Sequence, residues 1–192
     1  LIHHGVRTAT GGAVRLQNTP EQWDLIPEVV ERKIDRSNSC IEVILRYESY
    51  DFDSRIKVAP MGNGVTISVY LDKPLPKALE GKAGFNLEFL PSSYFEKTYT
   101  MDGKPGVFPL YPSGDTFLKP ISEKIPQFAG HSTFDDRGKG EFIVPKSIAA
   151  GKTLVLAPED PERRVKIQTE NELMLFDGRN LAQNGWFVVR SL

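Results

Sequence analysis

Along much of the chain, hydrophobic and polar residues alternate with a period of two. That is the pattern of a strand with one face on a core and the other toward water. Cys40 to Tyr47 shows it cleanly: Ile41, Val43, Leu45 and Tyr47 fall on one face, and Cys40, Glu42, Ile44 and Arg46 on the other. Phe52 to Ala59 and Val65 to Leu71 continue it, the latter with Val65, Ile67, Val69 and Leu71 inward. Between them Met61-Gly62-Asn63-Gly64 predicts a hairpin, because Asn-Gly is a strong two-residue hairpin signal. The three segments predict an antiparallel meander with one apolar face.

Other strands are predicted at Gly12 to Gln17, Phe85 to Leu90, Lys152 to Ala157, Arg164 to Thr169, Glu172 to Phe176, and Trp186 to Leu192. Thr19 as N-cap with Pro20 after it predicts a helical turn that carries Trp23 and ends at Pro27. Lys77 to Lys82 predicts a second such turn, stopped by Gly81. Residues 1–11 are polar and rich in Gly and Thr, and read as an N-terminal arm.

Between Thr100 and Pro161 the alternation thins. Pro105, Pro109, Pro112, Pro120, Pro126, Pro145, Pro158 and Pro161 all fall there, with Asp102-Gly103-Lys104-Pro105-Gly106 as a tight turn. The segment also carries Phe108, Tyr111, Phe117, Phe128, Phe134 and Phe142, which is too apolar for disorder. It reads as a long ordered excursion, and its length makes it a candidate for function. No composition shift divides the chain. The expected fold is therefore all-β: one antiparallel β-sandwich over residues 12–192, ordinary or supersandwich-like in size, with one or two helical turns.

Bulk composition narrows the partners. The 192 residues are enough for a sizeable core. Basic and acidic residues number 24 and 25, so no basic excess favours nucleic acid. No apolar run reaches the roughly 20 residues of a membrane span. Cys40, the single cysteine, has no intrachain partner and reads as a small buried hydrophobe. The chain begins at Leu1 and closes on a strand pattern without a tail, so both ends read as cuts from something longer.

The chemistry on offer is sparse. The three histidines are His3, His4 and His131. Adjacent His3 and His4 point to opposite faces of a strand and make a poor zinc pair. His131 with Asp135, Asp136 and Glu141 could suggest a metal or acid/base group, but the spacing lacks a regular calcium loop. Asp135 and Asp136, aided by Arg137, read rather as a latch that holds the loop by side-chain to backbone bonds. Nucleophile-elbow, phosphate-loop and zincin motifs are absent from the sequence. Neither a cofactor nor a metal is expected, and no residue is singled out as catalytic. Tyr94, Tyr99, Phe108, Tyr111 and Trp186 could form a platform for sugar rings, with His131, Asp135, Asp136 and Arg137 binding hydroxyls; the same aromatics could instead be core.

Several long strings carry a family resemblance. They are residues 84–95, Met101-Asp102-Gly103-Lys104-Pro105-Gly106, residues 133–140, Leu156-Ala157-Pro158-Glu159-Asp160-Pro161-Glu162, and residues 177–187. Together they resemble the N-terminal region of multidomain proteins of glycoside hydrolase family 9, over residues 12–192. In that family the region precedes an immunoglobulin-like domain and a helical (α/α)6 catalytic barrel. The catalytic carboxylates belong to the barrel and have no matching position here. The resemblance thus implies a non-catalytic accessory β-domain of an exported enzyme (periplasmic, cell-surface or extracellular) that degrades polysaccharide, with β-glucan or another plant polysaccharide as glycan and neighbouring domains as partners. Two other readings stay open: a mutarotase-like sugar-active enzyme using His131 with Asp135 or Glu141, and a cell-surface interaction domain without a glycan role.

Overall fold

The computed structural model describes residues 1–3, 5–16, 27–80, 83–111, 147–180 and 186–191. The architecture is all-β, and each strand pair whose register is defined is antiparallel. The strands are β1 (Ile2–His3), β2 (Val6–Arg7), β3 (Ala9–Leu16), β4 (Glu28–Asp35), β5 (Cys40–Tyr47), β6 (Phe52–Met61), β7 (Gly64–Leu71), β8 (Ala83–Phe89), β9 (Thr98–Met101), β10 (Lys104–Val107), β11 (Ala149–Leu156), β12 (Val165–Asp177) and β13 (Phe187–Ser191). They form sheets of two, seven and four strands.

Where the sequence reads as one domain, the contacts separate into two compact units, Leu1–Gln22 with Gly84–Leu192, and Trp23–Ala83. The reason is local pairing. In the second unit β4, β5, β6 and β7 pair only in sequence order, each with its neighbour along the chain. The sheet of the first unit runs β10-β9-β11-β12-β13-β8-β3 and draws on both ends of the chain.

In the first unit, residues 1–11 are more than an arm. They hold the β1–β2 ribbon, turned by Gly5 at φ 76°, and the start of β3. The Leu1 amino group donates to the Ala9 carbonyl at 2.9 Å. At the centre of the seven-stranded sheet both faces are buried. Leu87, Phe89, Phe187, Val189 and Leu175 share one face, following the register Phe187↔Phe89, Val189↔Leu87 and Leu175↔Val189. Asn86, Glu88, Val188, Arg190, Met174 and Phe176 share the other, and all are buried. Arg190 Nε donates to Asn86 Oδ1 at 2.6 Å, which satisfies a polar pair inside the sheet packing. Alternation in β8 therefore does not separate core from water, although it places Leu87 and Phe89 inward as expected.

The Asp102-Gly103 turn joins β9 and β10 with both residues at positive φ, 49° and 79°. That is the type I′ geometry whose twist suits a hairpin. Asp102 then reaches back to β11, accepting from the Lys152 and Thr153 N–H groups at 3.1 and 2.8 Å. These donors sit where the β11–β12 register shifts between Gly151 and Thr153. A Cβ on Gly151 would run into the Asp102 carboxylate and the Met101 side chain, so glycine is required there. The segments 164–169 and 172–176, predicted as two strands, form the single long β12.

In the second unit β5, β6 and β7 match the predicted meander. The hairpin loop is Gly62-Asn63, with Met61 paired to Gly64 and positive φ at Gly62 alone, the pattern of a type II′ turn. Asn63-Gly64 is thus not the turn pair; Gly64 opens β7. Strand β4 is an addition with no clear alternation, because a bulge between Val29 and Glu31 breaks its period. One face of this sheet is apolar. Its buried part is Leu45, Tyr47, Phe52 and Ile56, with Tyr47 and Phe52 stacked at 4.5 Å. The opposite face is laced with ion pairs, Arg46–Asp53 at 2.9 Å and Arg55–Glu42 at 3.5 Å.

Candidate functional site

The first unit is built around a chain of aromatic rings. Phe89 and Tyr94 meet edge to face at 5.7 Å, Tyr94 and Phe108 at 5.6 Å, Phe108 and Tyr99 at 5.2 Å, and Phe108 and Phe187 at 4.6 Å. Tyr94 follows a 3-10 turn at Pro91–Ser93 and donates its hydroxyl to the Arg163 carbonyl at 3.1 Å. Burial pushes its hydroxyl up to about 12, against a smaller opposing effect of Arg163. Tyr99 is raised by burial as well. Tyr94, Tyr99 and Phe108 are 0%, 8% and 1% exposed. A sugar platform needs an open ring face, and these three rings have none. They are core, the other of the two roles open to them from sequence.

Phe108 fixes the backbone that leads to Tyr111. Its N–H donates to the Lys97 carbonyl at 2.9 Å, and its carbonyl accepts from Glu96 N–H at 3.1 Å. The next two carbonyls are held by one side chain. Arg179 Nη2 donates to the Pro109 carbonyl at 2.8 Å and Nη1 to the Leu110 carbonyl at 2.7 Å. The same guanidinium is gripped by Asp177, and lies over the rings of Phe187 at 4.8 Å and Phe95 at 5.3 Å. In sequence Asp177-Gly178-Arg179 stands out only as the start of the string 177–187; nothing in its spacing points to residues 109–110, some seventy positions away.

Tyr111 emerges from this fixed backbone with 78% exposure. Of the aromatics chosen from sequence it is the one with an open face, flanked along the chain by exposed Leu110 and Val107. A ring so placed can stack on the C–H face of a sugar or on an apolar partner. Trp186 is half-buried and packs against Met174, Phe176 and Val188 on the other strands' shared face. The structure therefore does not gather the five aromatics into one platform. His131, Asp135, Asp136 and Arg137 lie outside the described residues, as do Trp23 and His4.

Sequence reading overlooked a second exposed aromatic. Tyr70 on β7 is 41% exposed, and the Arg55 guanidinium lies 4.4 Å from its ring centroid. Arg55 in turn pairs with Glu42, so a polar, ring-bearing strip crosses β5, β6 and β7.

The titratable groups of the first unit act as latches. Glu159 accepts from the Thr98 backbone at 2.7 Å and from the Thr98 hydroxyl. Burial raises its pKa, but these bonds outweigh that and hold it below the ordinary range. Asp160 is lowered chiefly by its hydrogen bond from Lys97, at 2.7 Å. Among the described residues no three His, Cys, Asp or Glu side chains converge as a metal cluster. No described helix is long and apolar enough to cross a membrane.

No protein-family model matches this chain, and neither a curated protein nor a solved structure was found similar to it.

Proposed function

We propose that this chain is a non-catalytic accessory module of an exported polysaccharide-degrading glycoside hydrolase, which packs on neighbouring domains of its polypeptide and offers an aromatic contact to glycan. The family reading rests on the strings that resemble family 9 proteins. The observation that carries the packing role is the apolar face of the four-stranded sheet. Val29, Ile34, Ile41, Val65, Val69 and Leu71 continue the face of Leu45 and Phe52 outward, and each is 37–59% exposed. A contiguous apolar sheet face is unusual on an isolated domain and marks a surface meant to be covered. Tyr111, exposed on a fixed backbone, supplies the glycan contact.

Thermal unfolding tests the packing role. Joined to the domains that flank it in its gene product, the module should melt at a higher temperature than alone. Val29→Lys with Ile34→Lys, both on β4, should abolish that gain and leave the isolated module's melting nearly unchanged, since both positions are exposed. Equal melting of joined and isolated modules would remove the packing role.

A further inference from the structure

The two edges of the four-stranded sheet are built differently. β4 at one edge carries Glu31, Arg32 and Lys33 and the bulge next to Val30, with Lys33 paired to Glu31 at 2.9 Å. Charges and bulges are the usual protection of an edge against further pairing. β7 at the other edge, Gly-Val-Thr-Ile-Ser-Val-Tyr-Leu, has no charged residue and no proline. It pairs with β6 over all eight residues without a register shift, so it runs straight for about 27 Å. No strand lies beyond it among the described residues, and six of its eight residues are exposed. An uncharged, regular, β-branched edge is a template for another strand.

We propose that a second copy of this chain pairs with it, β7 antiparallel to β7 about a two-fold axis at Ile67. The strand is self-complementary in that register. Val65 meets Val69 of the second copy, Thr66 meets Ser68, and Ile67 faces itself, so apolar residues continue one face and hydroxyls the other. Gly64 lies opposite Tyr70, which lets the ring cover the glycine backbone. No like charges meet along the seam, which is the condition that β4 fails. The isologous contact closes after two copies and does not propagate, since β4 is protected. This dimer uses the sheet edge, whereas the packing role uses the sheet face; Val65 and Val69 border both, and β4 belongs to the face alone.

Sedimentation equilibrium over a concentration series tests it. The wild-type chain should pass from monomer to dimer. Thr66→Lys, on the exposed polar face and opposite Ala59 within its own sheet, should weaken the dimer about tenfold. Thr66→Lys with Ser68→Glu sets opposite charges against each other at both cross-copy pairs and should recover the loss. Ile67→Cys should form an interchain disulfide under mild oxidation, because directly opposed residues bring their Cβ atoms within about 5 Å. A wild-type chain that stays monomeric throughout overturns the proposal. So does a dimer that Thr66→Lys leaves unchanged, or one in which Ile67→Cys does not cross-link, since either places the contact elsewhere or assigns the edge to a different partner.

Discussion

Arg179 and Asp177 grip each other through two bonds, Nη2 to Oδ2 at 2.7 Å and Nε to Oδ1 at 2.8 Å, with both side chains less than a tenth exposed. The pair is at once an internal ion pair and the clamp on the Pro109 and Leu110 carbonyls. Removing one partner leaves a buried charge uncompensated. Arg179→Ala should cost about 3–5 kcal/mol in a urea denaturation series. Arg179→Lys should recover only part of it, because an ammonium lacks the fork that reaches the carboxylate and two carbonyls together.

Ser54 predicts a change of opposite sign. It is fully buried on the apolar face of β6, opposite Leu45 and Leu71, and its hydroxyl has no hydrogen-bond partner among the described residues. An unpaired buried hydroxyl costs about 1–3 kcal/mol. Ser54→Ala should therefore leave stability unchanged or raise it by about 1 kcal/mol, measured by the same denaturation midpoint.

The aromatic residues divide into two classes with separable readouts. Tyr94→Ala and Phe108→Ala should each destabilise by about 3–5 kcal/mol, as large buried rings do. Tyr111→Ala should leave the melting temperature within a degree or two, as exposed positions do. On the proposed glycan role, calorimetric titration with soluble β-glucan should show affinity reduced about tenfold, which is about 1.4 kcal/mol. Equal heats for wild type and Tyr111→Ala would remove that contact.

Stability should fall in acid through the lowered carboxylates. Asp35 is held at about 2 by Ser37 and Asn38, and Glu159 and Asp160 lie below their ordinary values of 4.5 and 3.8. A carboxylate with a depressed folded pKa contributes fully above its unfolded value and loses that contribution as pH falls through the folded one. The denaturation midpoint should hold steady above about pH 5 and decline between about pH 4.5 and 2. Glu159→Gln should flatten the upper part of the decline. The raised Tyr94 hydroxyl acts at the other end: stability present below about pH 10 should be lost as pH rises toward about 12.

Most of the strand pattern was legible because it rests on alternation. β5, β6 and β7 each keep one apolar face, and β8 and β13 carry their large residues in phase. Two strands show where that signal stops. β4 is exposed along its whole length and bulged, so no inward period exists to be read. In β8 the polar residues Asn86 and Glu88 are buried like their neighbours, because the centre of the sheet is covered on both faces. The candidate site was less legible. A buried ring and a stacking ring use the same residue types, so the sequence leaves both roles open for each of these rings. Arg179 escaped notice because its partners are backbone carbonyls distant in sequence.

The proposed packing role of the four-stranded sheet is tested most directly by hydroxyl-radical footprinting of the module alone and within its whole gene product. Modification of Val29, Ile34, Val69 and Leu71 should drop several-fold in the whole protein, while exposed Met61 and Thr66 away from that face remain equally reactive. Equal modification of Ile34 and Val69 in both forms would contradict the account, since it would leave the apolar face uncovered in the protein that carries it.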